Sequence, residues 1–261
     1  MNNSHNFAKN LLVEAIEIAI KKVKRIAVIQ IKGGSLKTTT VQIVATSLAA
    51  QGHKVLIVDF DEQKTAEIWA DRRDVTLTAI EKDAKSKNGL KKLNKMKNID
   101  VLPLKADGSD FATLEGIEDS YDYVIFDTHG HMSNLDLARL TVEKADMVLV
   151  PFKNTTKDLE QRFVLEQTLI QFKAAFSVTP HVYSVVYDFD KVQHESKSAE
   201  KIMEDVKDTL PMLPVPIFAR RSWLAADELG LTALEYGNDV IARGQIKRIG
   251  LFINKTLNGG I

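Results

Sequence analysis

The residues best placed to do chemistry are contiguous: Lys32-Gly33-Gly34-Ser35-Leu36-Lys37-Thr38-Thr39. Glycines let backbone N–H groups curl around phosphate oxygens, and a helix starting directly afterwards aims its positive end at the same point. Lys37 has the reach for β- and γ-phosphates, and the Thr38 hydroxyl is a ligand for Mg²⁺. Two acidic positions follow, Asp59-Phe60-Asp61 and then Asp127, each at the end of a short apolar run. Asp127 suits a cation held through water. A glycine-rich loop alone would be weak evidence. Between a strand and a helix, with two acidic strand ends after it, it points strongly to nucleotide binding.

Those positions require a particular scaffold. Arg25–Ile31 reads as a strand running into the loop. Thr38–Gln51 reads as a helix, stopped by Gly52. Further strands are expected at Val55–Val58, Ile99–Leu104, Tyr123–Phe126, Met147–Val150 (ending at Pro151) and His181–Tyr187. Helices are expected at Leu135–Glu143, Asp158–Phe176 and Ser196–Leu210. Alternation of this kind predicts an α/β fold, a mainly parallel twisted sheet flanked by helices, with its ligand site at the carboxyl ends of the strands. Phe7–Val23 has apolar residues at helical spacing and reads as an amphipathic helix. Residues 1–23 are therefore expected to extend a single domain spanning 24–261.

Composition narrows the partners. The 261-residue chain has 35 Lys+Arg and 35 Asp+Glu, so any nucleic-acid contact must come from a local patch. Arg220 and Arg221 supply one candidate, and Arg243 and Lys247, one helical turn apart, supply another, with Arg248 and Lys255 nearby. The stretch from Lys82 to Lys97 holds seven lysines and reads as an exposed helix and turn, or as a partner or DNA surface. The chain has no cysteine, which rules out disulfides and zinc–thiolate sites. His129 and His131 have no third ligand at metal-binding spacing, so Mg²⁺ is the only metal expected. No apolar run approaches the ~20 residues that span a bilayer.

Taken together, these motifs resemble the ParA/MinD family of P-loop ATPases, whose loop has the pattern K-G-G-x-x-K-[ST]. Val58–Gln63 is similar to the family's second motif, Tyr121–Thr128 to its Walker B strand, and Ala145–Pro151 to its next strand. Ile217–Tyr236 is similar to its C-terminal stretch. Ala66–Arg73 and the short N-terminal extension look most like the small plasmid-partition type. The resemblance implies that ATP and Mg²⁺ bind at Lys32–Thr39, with Lys32 reaching the nucleotide of the opposite subunit in an ATP-sandwich homodimer. It gives Lys32, Lys37 and Asp61 catalytic roles, Asp61 orienting the attacking water. Thr38, Asp59 and Asp127 fall at the metal.

The family also implies non-specific DNA binding, for which Arg220, Arg221, Arg243 and Lys247 are the candidates. It further implies slow hydrolysis stimulated by a ParB-like or other cargo adaptor, in the cytoplasm and on the nucleoid, without stable membrane association. The alternatives are a MinD-like membrane-cycling regulator and a nucleotide-binding scaffold with little hydrolysis. The chain departs from the family pattern at three places. Leu36 stands where glycine is usual, Thr128-His129-Gly130-His131 replaces prolines, and Tyr187-Asp188 occupies a base-contacting position. If position 36 needs positive φ, leucine costs about 1–2 kcal/mol there.

Overall fold

A computed structural model describes residues 22–30, 36–84, 86–128, 135–153, 167–168, 170–171, 179–188, 210–218 and 220–259. Lys32, Gly33, Gly34, Ser35, His129 and His131 lie outside these residues. So do most of the helices expected over Asp158–Phe176 and Ser196–Leu210, and the N-terminal helix up to residue 21. Lys22 and Val23, at the end of that expected helix, are not helical.

The strands are β1 (Lys24–Val28), β2 (Val55–Asp59), β3 (Ile99–Pro103), β4 (Tyr123–Asp127), β5 (Met147–Lys153), β6 (His181–Asp188) and β7 (Ile217–Phe218). They form one seven-stranded sheet in the order β3-β2-β4-β1-β5-β6-β7, with every neighbouring pair parallel. The helices are α1 (Lys37–Gln51), α2 (Thr65–Asp83), α3 (Lys87–Met96), α4 (Leu135–Lys144), α5 (Arg221–Asp227) and α6 (Val240–Leu257).

Strand side chains alternate between faces, and here both faces are covered. Ile26, Val28, Val55, Ile57, Ile125 and Leu149 face α1 and α6, while Ala27, Leu56, Val58, Val124, Phe126 and Val148 face a second core that includes Leu137 and Val142 of α4. Gly52 ends α1 as its composition suggested. It takes φ 103° and donates to the Ala49 carbonyl at 2.9 Å, and the N–H of His53 reaches Leu48 at 3.3 Å. This is a Schellman closure that only glycine adopts without strain.

Strand ends differ from expectation at β1, which stops at Val28 with Ile29 and Gln30 beyond it, and at β5. β5 runs through Pro151 to Lys153 instead of stopping before the proline. Leu149 turns its carbonyl toward β1, where Ile29 donates to it at 3.1 Å, so Pro151 turns its backbone to the same side. β1 pairs with β5 only as far as Leu149, so the N–H that proline lacks would have met no strand. The Pro151 carbonyl instead accepts from the Gln30 amide at 2.9 Å. β7 is a two-residue strand that the apolar pattern did not single out.

Candidate nucleotide site

The parallel register brings the chemistry together. β2 and β4 are neighbours with Asp59 opposite Asp127, and β4 and β1 are neighbours with Asp127 opposite Val28. The two acidic strand ends therefore lie side by side, next to the strand that leads into the loop. α1 begins at Lys37, and Leu36 caps it in the left-handed region at φ 65°, ψ 25°. The glycine-like backbone required at this position is adopted by a leucine. The Leu36 carbonyl accepts from both the N–H (2.9 Å) and the hydroxyl (2.7 Å) of Thr40. Its side chain packs against the α1–α6 core.

Lys37 is buried although charged. Burial lowers its pKa, opposed by the charges of Asp127 and Asp61. Asp127 is 1% exposed, and neither carboxylate oxygen has a hydrogen-bond partner. The Thr38 hydroxyl lies beside it, outside full hydrogen-bond geometry. Burial first, and then the charge of Asp59, push Asp127 up to about 7. An unsatisfied buried carboxylate is costly and calls for a cation or ordered water. This orphaned carboxylate, next to a threonine hydroxyl and a buried lysine, fits a magnesium–polyphosphate group. Among the described residues no three His, Asp or Glu side chains converge on one point. Mg²⁺ is usually held by one or two carboxylates, with waters and phosphates completing the shell.

Asp59 also has a local structural role. Its Oδ1 accepts from the N–H of Asp61 at 2.9 Å, and its Oδ2 from those of Ala66 (3.0 Å) and Glu67 (3.3 Å). It thus satisfies orphan donors at the start of α2 and fixes the loop that carries Asp61. Its pKa is raised by burial, against the lowering effect of those three backbone donors. Asp61 is half-buried and accepts from the Gln63 N–H at 3.0 Å, while its carbonyl accepts from Lys64 at 2.8 Å. Lys64 closes this turn with positive φ, 51°.

Tyr187 lines the cavity beside α1 with its ring, while its hydroxyl is tied up. Its hydroxyl is buried and shares a 2.7 Å hydrogen bond with that of Thr40, tying β6 to the first turn of α1. A cavity of about 580 Å³ opens beside that turn, with Thr38, Thr39, Phe218, Arg220 and Trp223 among its walls.

The basic residues divide into two groups. Arg220 and Arg221 stand at that cavity. The guanidinium of Arg220 is ion-paired with Asp239, which also accepts from Ser222 (2.9 Å) and caps α6 through the Ala242 N–H (3.1 Å). Arg243 and Lys247 lie elsewhere, in a concavity shared with α3.

A residue with no signal in the sequence organises much of this half. Arg73 is 2% exposed, stacks its guanidinium over Trp69 at 5.0 Å and bonds Glu235 at 2.8 and 2.5 Å. It also reaches the carbonyls of Gly230 (3.1 Å) and Met96 (2.8 Å). The Gly230–Tyr236 run is thereby docked on α2 and α3. An arginine in an amphipathic helix gives no hint of burial, but Glu235 ending a Gly-Leu-Thr-Ala-Leu run is a polar residue among apolar ones.

A parallel sheet in this order, a helix opening with lysine and threonine beside its central strand, and aspartates on the adjacent strand ends define a P-loop nucleoside triphosphatase. Residues 23–174 match the model of a family described as an AAA domain, and the chain belongs to that family, in its ParA/MinD group of P-loop ATPases. The chain is similar to the protein VirC1 of Rhizobium radiobacter, 24% identical over 81% of this chain and 85% of that protein. It is similar too to maintenance of carboxysome distribution protein A of Synechococcus elongatus, 21% identical over 80% of this chain and 91% of that one. Among solved structures, a Cyanothece McdA variant in complex with ATP superposes with a TM-score of 0.65 at 18% identity, covering 91% of this chain and 96% of that chain.

Proposed function

We propose that the protein is a ParA-like ATPase that positions cargo, using ATP to close a homodimer that holds DNA without sequence preference. The observation that carries this reading is Asp127, a buried carboxylate without a partner facing the lysine and threonine that open α1. ATP lies with its phosphates at Lys32–Thr39 and its nucleoside end toward the cavity beside Phe218 and Trp223. When bound, Mg²⁺ draws charge from the phosphate oxygens. Thr38 and Asp127 would hold it, partly through water, with Asp59 supporting the metal site while it keeps the neighbouring turn in place. Lys37, already buried, neutralises the β- and γ-phosphates. Lys32 reaches the nucleotide of the opposite subunit, so dimerisation completes the site. Asp61, its carboxylate steadied by the Gln63 N–H, orients the attacking water.

Arg220, Arg221, Arg243 and Lys247 are the proposed DNA contacts. A ParB-like or other cargo adaptor stimulates hydrolysis and so release, in the cytoplasm on the nucleoid. Residues 1–23 are an accessory helix on the 24–261 domain. The name of the Synechococcus relative, which concerns distribution of carboxysomes, supports cargo positioning.

For the membrane-cycling alternative α6 is mixed: Ile246, Ile249 and Ile253 are buried on α1, whereas Val240, Ile241 and Leu251 of the same helix are exposed. Among the described residues, no helix is long and apolar enough to cross a membrane. The scaffold alternative draws on the strained Leu36.

Light scattering of the full chain tests the reading. Monomer should convert to dimer with ATP and Mg²⁺ but not with ADP, and Lys37→Ala should abolish the change. A mass that stays fixed with all nucleotides would refute the clamp. An unchanged hydrolysis rate in Asp61→Ala would remove that residue from catalysis.

A further inference from the structure

The two basic stretches separated in sequence, the lysine run and the last helix, meet in space. α1 lies between α3 and α6, and Lys91, Lys92 and Lys95 of α3 face Arg243 and Lys247 of α6 across a groove of about 370 Å³. Part of its lining is Thr46 and Ala50 of α1, the helix that begins at the phosphate loop. Both walls are fastened to α1. Gly250 of α6 packs so closely on α1 that a Cβ there would lie 2.5 Å from the Ser47 hydroxyl. Asn254 bonds Gln51 at 2.9 Å, and Lys95 donates to the Ala50 carbonyl at 2.9 Å.

The charge in this groove is one-sided in a chain with no net charge. Neither α3 nor α6 contains an acidic residue. The one carboxylate in the lining, Glu235, is committed to Arg73. Among the described residues, Lys91, Lys92, Arg243 and Lys247 have no ion-pair partner, whereas Arg220 is held by Asp239. A polyanion reaching Arg220 must displace a carboxylate; one entering the groove displaces only water and counterions.

We propose that the groove between α3 and α6 is the principal contact for the phosphate backbone of duplex DNA, with Lys91, Lys92 and Lys95 on one wall and Arg243 and Lys247 on the other. This rests on the DNA-binding part of the function proposed above and relocates its main surface away from Arg220. Lys91 and Lys95 are one helical turn apart, as are Arg243 and Lys247, so each wall presents a row of cations that tracks successive phosphates. The apolar lining residues Met96 and Leu234 are buried beneath the cations, not raised on a rim as insertion into a membrane requires.

The test uses the full chain with ATP and Mg²⁺ and a fluorescent random-sequence duplex, titrated between about 50 and 200 mM salt. The variants are Lys91→Glu/Lys95→Glu, Arg243→Glu/Lys247→Glu and, for comparison, Arg220→Glu. Each groove pair should weaken binding at least tenfold and flatten the slope of log K against log salt by about 2, near 0.9 per lost phosphate contact. ATP-dependent dimerisation reports that the variants are folded; the milder Lys→Gln and Arg→Gln pairs should show the same effects at smaller amplitude.

If both groove pairs bind like the parent while Arg220→Glu does not, the surface is wrong and the function stands. If the parent dimerises with ATP but ignores DNA, and instead sediments with anionic phospholipid vesicles or with poly-glutamate, the surface and the DNA assignment both fall. A parent that neither dimerises nor binds DNA removes the proposed function and this surface with it.

Discussion

Replacing Asp127 by asparagine should stabilise the nucleotide-free protein, by an amount that grows with pH. The ordinary carboxylate value is 3.8, and burial in the folded protein pushes Asp127 up to about 7. Between those values the folded state binds more protons than the unfolded state, so stability falls as pH rises through this window. At 1.36 kcal/mol per pH unit, the cost is about 2 kcal/mol at pH 5 and about 4 kcal/mol at pH 8. Asparagine keeps the shape and carries no charge. The difference between parent and variant should therefore widen by roughly 2–3 kcal/mol from pH 5 to pH 8. Urea unfolding of both proteins in EDTA at several pH values measures this directly, and the comparison cancels titrating groups that do not interact with Asp127. A saturating magnesium nucleotide should reverse the order, since only the parent has the carboxylate to meet the ion. A constant difference across the range would refute the reasoning, because it would mean that Asp127 is solvated and is not an orphan awaiting a cation.

Leu36→Gly should change stability by less than about 1 kcal/mol, because relief of about 1–2 kcal/mol at positive φ is offset by loss of a half-buried leucine. Leu36→Val should cost about 2 kcal/mol or more, since a β-branched residue fits that backbone worse and packs less; chemical unfolding compares the three. Glu235→Ala should cost about 3–5 kcal/mol, the usual penalty for stranding a buried guanidinium, and a smaller loss in thermal or urea melts would mean that Arg73 finds water. Gly230→Ala should be at least as severe. Its φ is +65° and the added Cβ would lie 2.2 Å from the Arg73 backbone nitrogen, so low yield of folded protein is the expected outcome, and near-parental stability would argue against that packing.

The pattern of what the sequence disclosed follows from the distance over which each feature is encoded. Lys37 and Thr38 are legible because a phosphate loop is contiguous. Asp59 and Asp127 are legible because each ends its own apolar strand, and a parallel sheet aligns strand ends without any knowledge of strand order. Strand order was needed to see Asp59 opposite Asp127 and to see that Pro151 lies beyond the end of its neighbour β1. Without it, a proline at position 151 marks the end of β5 two residues too early. Arg73 was invisible for the same reason, since its partners come from Met96, Gly230 and Glu235.

The basic groove is the strongest case. Lys91 and Arg243 are far apart in the chain, and each looks like an ordinary solvated residue on its own helix. They share a surface only because α1 carries one helix on each side. A charge run that seems idle in sequence acquires meaning when the fold brings a second run to it. The helix that brings them together here begins beside the proposed nucleotide site. At 1.5 Å per residue, the 15 residues of α1 place the groove within about 20 Å of its first turn, along one continuous helix.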